Sequence, residues 1–314
     1  MLRAILLGIV QGITEFLPIS SSAHLSIVPR LLGYSTPTLA FEVLLHFGTL
    51  AAVAAYFARD LWAFVLCLVA PGRLGPEEAA TRRRLLGLLA LASLPAAAVG
   101  FLLQDWADQQ TARPLRASVW LVLTTVIMIA AELYDRSRRA RPAPASAPGE
   151  LEGGEEEAPA RRAGTRVQRH HGRGPGTMTD PPDAQQELQR LPVAKATGIG
   201  LGQALALIPG TSRSGITISV GLFEGVSRET AARFSFLLSI PAILGAGILK
   251  LDDLSGATET SAELLAGTIA AAVSGFLAVS FLIRLLRTRT LWPFIWYRLV
   301  AGALFVLLLS TVRS

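Results

Sequence analysis

Two short polar segments interrupt an otherwise apolar chain, and their residue types could carry out chemistry on a phosphate group. The first, "QGITEFLPISSSAH" (residues 11–24), combines an amide, a carboxylate, four hydroxyls and an imidazole. The second, "PGTSRSGIT" (residues 209–217), combines glycines, hydroxyls and an arginine. A hydroxyl beside a base is an activated nucleophile, and an arginine fork matches phosphate oxygens. Together they predict nucleophilic attack on a bound anion.

The first segment places ionisable and hydroxyl groups around a helix break. Gln11 and Glu15 are four residues apart and therefore share a helix face. A carboxylate in an apolar segment requires a polar partner, a bound cation or a water-filled cavity. Pro18 then ends the helix, and four candidate groups follow in the turn: Ser20, Ser21, Ser22 and His24. The alternative is a structural role, in which Glu15 and His24 pair with each other or cap a helix.

The second segment has the features of a phosphate site. Its glycines allow the backbone to approach a ligand closely, and N–H groups before a following helix form a cradle for an anion. Arg213 supplies the charged fork, and further donors surround it: Gly210, Ser212, Ser214 and Thr217. An arginine at this depth needs an anion, which a phosphorylated lipid would supply. The alternative is a permanent ion pair between Arg213 and Glu15.

The elements that must position these groups are membrane helices. The chain has 314 residues, of which 51% are hydrophobic and 17% charged, a composition that excludes an ordinary soluble domain. Six apolar segments are each long enough, at roughly 20 residues, to span a bilayer: 39–58, 85–103, 117–134, 230–249, 263–283 and 292–310. The net charge of +6 does not indicate nucleic acid, and the single cysteine gives no thiolate metal cluster.

The polar segments lie in two further apolar stretches, 1–30 and 193–226, which Pro and Gly interrupt near their middles. Such stretches are typical of re-entrant hairpins. Between them, residues 136–190 are rich in Pro, Gly, Arg and Glu and are predicted to be a disordered linker. The predicted fold is an all-α integral membrane protein in which two repeats, 1–135 and 191–314, each consist of a hairpin followed by three transmembrane helices.

The two repeats are predicted to have inverted topology. Aligning the hairpins on their central prolines sets Ser20 against Thr211 and Ser21 against Ser212. Because three spans per repeat is an odd number, tandem repeats must lie inverted across the membrane, which commonly brings broken helices together near the midplane. Basic residues cluster on the side of the linker, which predicts a cytoplasmic linker, both termini outside and a first hairpin that opens outward.

The two segments resemble the signature motifs of the undecaprenyl-diphosphate phosphatase family known as BacA or UppP. The resemblance implies a multi-pass enzyme of the bacterial inner membrane that removes one phosphate from undecaprenyl diphosphate for cell-wall synthesis. It also implies an active site that opens to the periplasm, dependence on Mg²⁺ or Ca²⁺, and compatibility with a homodimer. Gln11 stands where many members have Glu, which removes one negative charge from the expected metal site.

The resemblance also implies roles for individual residues. Glu15, with Gln11, would hold the cation, and Arg213 would clamp the phosphates. Donors on Ser212, Ser214 and Thr217 would stabilise charge on the transferred phosphoryl group. Ser21 is the first choice of nucleophile, with His24 as the group that takes its proton. Attack by water or by His24 itself remains open.

The sequence also contains weaker site candidates and is compatible with a rival function. Ser20, Ser22 and Glu42 are weaker site candidates, and His46, one turn after Glu42, is interpreted as a packed or interfacial histidine. The rival function is a secondary transporter for polyprenyl phosphate or another anion, because inverted repeats with broken helices are typical of transporters. The excess of reactive groups favours the enzyme.

Overall fold

A computed structural model of the chain describes residues 1–111, 114–140, 183–250 and 256–311. Within these ranges the chain forms twelve α-helices, a short 3₁₀ turn and no strand. The helices are α1 Leu2–Phe16, α2 Ser21–Leu31, α3 Leu39–Tyr56, α4 Ala58–Val69, α5 Pro76–Thr111, α6 Pro114–Arg139, α7 Ala184–Gln189, α8 Val193–Leu205, α9 Arg213–Phe223, α10 Arg228–Leu249, α11 Ser261–Leu286 and α12 Trp292–Thr311. The predicted all-α class is confirmed.

Six of these helices are long and apolar enough to cross a membrane, namely α3, α5 up to Leu103, α6, α10, α11 and α12. They correspond one to one with the six predicted spans, which are therefore confirmed. In α11 a stripe at four-residue spacing stays exposed, with Leu265, Ile269, Val273 and Leu277 each more than half accessible. Large apolar side chains on an outer face are what lipid contact requires. The protein is a multi-pass membrane protein.

Two helical hairpins break where the sequence predicts. Helices α1 and α2 contact each other across a turn at residues 17–20, and α8 and α9 do so across residues 206–212. Ser20 has φ 74°, and Gly210 has φ 93°. At Gly210 a Cβ atom would collide with the backbone of Ala117, so this position needs glycine for both its conformation and its packing.

The first helix of each hairpin packs against a long helix of the other half. Helix α1 packs along α11, and α8 packs along α5. Both contacts depend on glycine: a side chain at Gly8 would meet the carbonyl of Gly267, and one at Gly200 would meet the carbonyl of Ala92. Small residues at such contacts are typical of membrane helices. This exchange is the pattern that an internal two-fold axis produces, while the inverted orientation and the re-entrant course stay predictions.

Two helices lie outside the predicted elements. Helix α4 follows the first span directly and is amphipathic, burying Phe64 and Cys67 while Trp62 and Leu68 remain exposed. Helix α7 lies in the predicted linker, where the Asp183 side chain accepts a hydrogen bond from the backbone of Gln185 and so caps the helix. Both helices are too short to cross a membrane.

The predicted linker boundaries are corrected at both ends. Helix α6 continues to Arg139, four residues into the range 136–190, and α7 occupies 184–189 with Ala184 and Leu188 buried. These ends fold because they bury apolar or paired side chains that a composition average over the segment hides. The rest of the predicted linker, 141–182, lies outside the described residues.

Candidate active site

A cavity of about 310 Å³ lies where the two hairpin turns meet, bounded also by α3 and by the end of α10. The turns are joined directly. The Gly210 N–H donates to Ser22 Oγ at 3.1 Å, and Ser214 Oγ donates to the Leu17 carbonyl at 3.2 Å. The structure therefore brings the two polar segments of the sequence together.

Glu15 is the centre of the hydrogen-bond network beside this cavity. Its Oε1 accepts from Arg213 Nη2 at 3.1 Å, and its Oε2 accepts from Ser21 Oγ at 2.8 Å. Gln11 Nε2 also donates to Oε2, at 3.2 Å, and His46 Nε2 lies 3.7 Å from the same oxygen. The carboxylate thus links α1 to the starts of α2 and α9. Only 7% of its side chain is exposed, so burying the ionised carboxylate would cost free energy without these partners.

Arg213 lies at the start of α9 and reaches the cavity from the opposite hairpin. The preceding residue, Ser212, caps the helix by accepting the Gly215 N–H at 3.1 Å. Arg213 Nη1 donates to the Ser235 carbonyl at 3.1 Å, so the guanidinium is held between α10 and Glu15. Because Arg213 also lines the cavity, its charge faces the space that an anion would occupy.

His24 holds the turn that carries the serines. Its Nδ1 lies 2.7 Å from the Ser20 carbonyl, and because a carbonyl only accepts, this nitrogen carries the proton. Its Nε2 then accepts from the Tyr297 hydroxyl at 2.7 Å. Both ring nitrogens are engaged, and His24 is not part of the cavity wall. This geometry does not support its predicted role as the base for Ser21.

Arg298 holds the same turn from α12. It is 1% exposed, and it donates to the Pro18 carbonyl at 3.3 Å and to Thr125 Oγ1 at 2.8 Å. Its Nη2 donates to the Leu121 carbonyl and to Thr124 Oγ1. Nothing in the sequence motifs points to this residue, which is distant in the chain from both hairpins.

The model of the family described as bacitracin resistance protein BacA matches residues 4–304. The chain belongs to the BacA family. Three similar relatives, each named undecaprenyl-diphosphatase, come from Alcanivorax borkumensis (40% identical over 312 residues, covering 96% of this chain and 96% of the relative), Chlorobium phaeovibrioides (38% over 316, covering 98% and 97%) and Pelotomaculum thermopropionicum (37% over 312, covering 99% and 97%).

In this BacA family member the predicted site residues fall into two groups. Those on the cavity wall are Glu15, Ser21, Ser22, Glu42, Ser212 and Arg213. Those packed behind it are Gln11, Ser20, His24, Gly210, Ser214 and Thr217. The second group supports the first. For example, Thr217 Oγ1 lies 2.6 Å from the hydroxyl of Ser235, and the carbonyl of Ser235 accepts a hydrogen bond from Arg213. No residue of the second group lines the cavity, and the roles predicted for these residues stay predictions.

Four polar residues on the wall were not among the predicted site residues: Thr14, His46, Thr211 and Lys250. The interpretation of His46 as a packed or interfacial residue is corrected. Its Nδ1 donates to the Glu42 carbonyl one turn earlier, at 2.7 Å, which turns Nε2 toward Glu15. Thr211 has a buried hydroxyl with no partner among the described residues. The four-residue spacing of Glu42 and His46, which puts both on one helix face, is the sequence feature that could have placed His46 at the site.

The side chains at the cavity can be compared with the ligands that a divalent cation, which the BacA resemblance implies, would need. Across the described ranges, no three His, Cys, Asp or Glu side chains are grouped so that they could hold a metal. Gln11 Oε1 is a buried acceptor without a partner there, and Glu15 is a carboxylate at the wall. Mg²⁺ is usually bound by one or two carboxylates together with substrate phosphates. The residues fit a cation bound jointly with a diphosphate and not a preformed cage.

Proposed function

We propose that this protein is an undecaprenyl-diphosphate phosphatase that releases inorganic phosphate and undecaprenyl phosphate. One observation carries the proposal: a serine hydroxyl, a carboxylate that accepts its hydrogen bond and an arginine paired to that carboxylate adjoin a single cavity. A nucleophile, a base and a phosphate clamp are the parts that phosphoryl transfer needs. The names of the relatives and the family membership support this substrate.

The first chemical step would form a covalent intermediate on Ser21. Its Oγ attacks the terminal phosphorus, the new Oγ–P bond forms, and the bond from phosphorus to the bridging oxygen breaks. The proton of Ser21 passes to Glu15, whose Oε2 is 2.8 Å away, and undecaprenyl phosphate leaves. Arg213 stabilises the charge on the transferred group.

The second step would return the enzyme to its starting state. Water attacks the phosphoserine, and its oxygen bonds to phosphorus as the bond to Ser21 Oγ breaks. Glu15 returns its proton to Oγ, the water releases one proton, and inorganic phosphate departs. Direct attack by water on the substrate is the competing mechanism, and it forms no phosphoserine.

The proposal includes a divalent cation, Mg²⁺ or Ca²⁺. Glu15 and oxygens of the diphosphate would hold it, with the amide oxygen of Gln11 as a further acceptor. When bound, it would neutralise phosphate charge and so favour attack. Neither step above is routed through it.

We further propose an inner-membrane location with the cavity open to the periplasm, both termini on that side and the linker in the cytoplasm. Support comes from the cavity wall, which includes Leu39 at the start of α3 and Lys250 at the end of α10. The N-terminus lies at the same end, where it pairs with Glu263 at 2.7 Å. Membrane lipid and a second copy of the chain, as a homodimer, are the proposed partners.

The test is phosphate release from undecaprenyl diphosphate by purified protein in detergent, with and without a chelator. Ser21→Ala should reduce release at least about 1,000-fold, since loss of a nucleophile removes most of the catalysis. Ser26→Ala is the matched control, because Ser26 lies on the same helix and its hydroxyl, within the part of the chain that the structure describes, bonds only the Ala23 carbonyl. Acid-stable phosphate on Ser21 during turnover would separate the covalent mechanism from direct attack by water.

Each outcome is informative. Release that requires metal and Ser21 supports the full proposal, and release that persists in the chelator removes the cation from it. No release by folded wild-type protein would overturn the phosphatase. Lipid translocation in vesicles would then test the transporter.

A further inference from the structure

A second and larger cavity adjoins the polar one. It measures about 610 Å³ and lies between α5, α8 and α10. The two cavities share five wall residues: Ala206, Arg213, Ala242, Ala246 and Lys250. A ligand that occupies both would therefore pass beside Arg213.

The walls of this second cavity, which we call the α5–α10 groove, are built from small and apolar residues. Gly100 on α5 and Gly245 on α10 face it and leave space that a side chain would fill. At its outer edge Phe101 and Ile248 are more than half exposed on membrane-spanning helices. The groove therefore has access to the lipid phase, and its volume lies within the range of small-molecule sites.

A buried amide side chain lies in the groove next to the shared wall. Gln203 is 3% exposed, and neither its Oε1 nor its Nε2 has a partner in the described part of the chain. A buried amide without partners costs free energy unless a ligand or water satisfies it. The groove is thus apolar along its length and polar at the end where it meets Arg213, which matches a phosphate attached to a hydrocarbon chain.

We propose that the α5–α10 groove binds the first isoprene units of the prenyl diphosphate, with the lipid-bound phosphate beside Arg213 and Gln203. This inference rests on the proposed function. The terminal phosphate then lies in the polar cavity near Ser21, and the chain leaves through the groove toward the bilayer. Because the groove opens toward lipid beside the exposed Phe101 and Ile248, the enzyme recognises the part of the chain nearest the phosphates, and the remainder lies in lipid.

The glycines provide a direct test. Among the described residues, a Cβ atom on Gly245 meets no heavy atom within 4 Å, and one on Gly100 meets only the Leu207 methyl groups at 3.7 and 3.9 Å. Tryptophan at either position should fill the groove without displacing backbone. The matched control is Gly87→Trp, because Gly87 lies on α5, has no atom of the described ranges within 4 Å of its Cβ position and does not line the groove.

The measured quantity is the ratio of kcat/KM for farnesyl diphosphate to that for dimethylallyl diphosphate, whose single isoprene unit reaches only the start of the groove. Gly100→Trp and Gly245→Trp should each lower this ratio by about tenfold or more, since each methylene kept from apolar contact loses binding energy. Gly87→Trp should keep the wild-type ratio. General damage to the site would lower both rates and leave the ratio unchanged, which would overturn the proposal.

A binding measurement separates failure of the groove from failure of the proposed function. Equilibrium binding of farnesyl monophosphate to the purified protein in detergent requires no turnover. Binding that Gly100→Trp and Gly245→Trp weaken about tenfold, in protein that hydrolyses no diphosphate, would preserve the groove and reject the phosphatase. Unaltered binding in both folded variants would reject the groove alone.

Discussion

Two buried arginine–carboxylate pairs lie in different parts of the molecule and have different surroundings. Arg213 meets Glu15 at 3.1 Å through one nitrogen, and both residues line the polar cavity. Arg228 meets Glu132 through two hydrogen bonds of 3.0 and 2.7 Å and also contacts Asp135 at 2.8 Å. Glu132 and Asp135 are buried, and none of the three lines either cavity.

The difference separates a pair that faces a ligand from one that holds helices together. Glu132 also accepts the Leu291 N–H at 2.7 Å, so its oxygens join α6 to α10 and to the turn before α12. Glu15 instead accepts from a serine hydroxyl at the wall of an open cavity. Burial and charge are similar in the two places, and what distinguishes them is that Arg213 and Glu15 line an open cavity whereas Arg228, Glu132 and Asp135 do not.

The largest expected effect is on turnover. Arg213→Ala should lower phosphate release about 100- to 1,000-fold, because removing one preorganised donor to a developing charge has that effect. The protein should still fold, since Glu15 keeps two donors and faces a cavity that water can enter. Turnover and thermal unfolding measured on the same preparation check this. A variant that fails to fold would make this pair structural like the other.

Arg228→Ala should act on stability and not on chemistry. Removing one partner of a buried pair leaves an uncompensated charge, at a cost of about 3–5 kcal/mol in the free energy of unfolding. The protein that does fold should turn over substrate at the wild-type rate per folded molecule. Denaturant unfolding with an active-fraction correction measures both. A large fall in kcat with unchanged stability would show that the two arginines do not differ as described.

Much of the fold follows from the sequence because hydropathy and chain breakers act locally. The six spans follow from length and apolar content, and the hairpin breaks follow from Pro18 and Pro209 and their neighbouring glycine and serines. Helices α4 and α7 do not follow in this way, since each is short and buries only a few side chains. Their stability depends on the helices against which they pack.

The site could be predicted only in part, because motifs identify residues and not the directions in which side chains point. Glu15, Ser21 and Arg213 meet as their types suggest. His24 instead points toward Tyr297, 273 residues away in the chain, a partner that no local pattern reveals. His46 takes the place beside Glu15 through a hydrogen bond to its own helix. Tertiary contacts therefore decide which of two histidines faces the cavity.

A smaller effect is expected where His24 supports the serine turn. Tyr297→Phe removes the hydroxyl that donates to His24 Nε2 and should cost about 1 kcal/mol of stability, with a fall in kcat of less than about tenfold. Tyr134→Phe, on an exposed ring of α6, is the control. If His24 were the base for Ser21, His24→Asn would reduce kcat about 100-fold or more. A positioning role predicts a loss close to that of Tyr297→Phe.

The smallest effect concerns the rim of the cavity, where Glu259 holds the residue before α3. Its Oε2 accepts from Thr38 Oγ1 at 2.6 Å, and its Oε1 lies 3.4 Å from Arg3 Nη2. Burial alone would raise the pKa of the Glu259 carboxyl, but hydrogen bonds from Thr38 and from its own backbone, with the charge of Arg3, outweigh burial and lower this pKa below its ordinary value.

A lowered carboxyl pKa gives stability that is fully present above the unfolded value of about 4.3 and is lost as the pH falls through the folded value. Glu259→Gln should therefore reduce stability by at most about 1 kcal/mol near neutral pH. The difference from wild type in thermal unfolding temperature should begin to shrink below about pH 4 and should be smallest once the pH is below the folded pKa, where both side chains are neutral. A difference that does not change with pH would mean that the hydrogen bond from Thr38, and not the charge, holds this rim. In that case the contacts of Glu259, like the Arg228–Glu132 pair, would hold the fold through their geometry more than through their charge. Of the three arginines in these pairs, Arg213 alone would then carry a charge that serves a ligand.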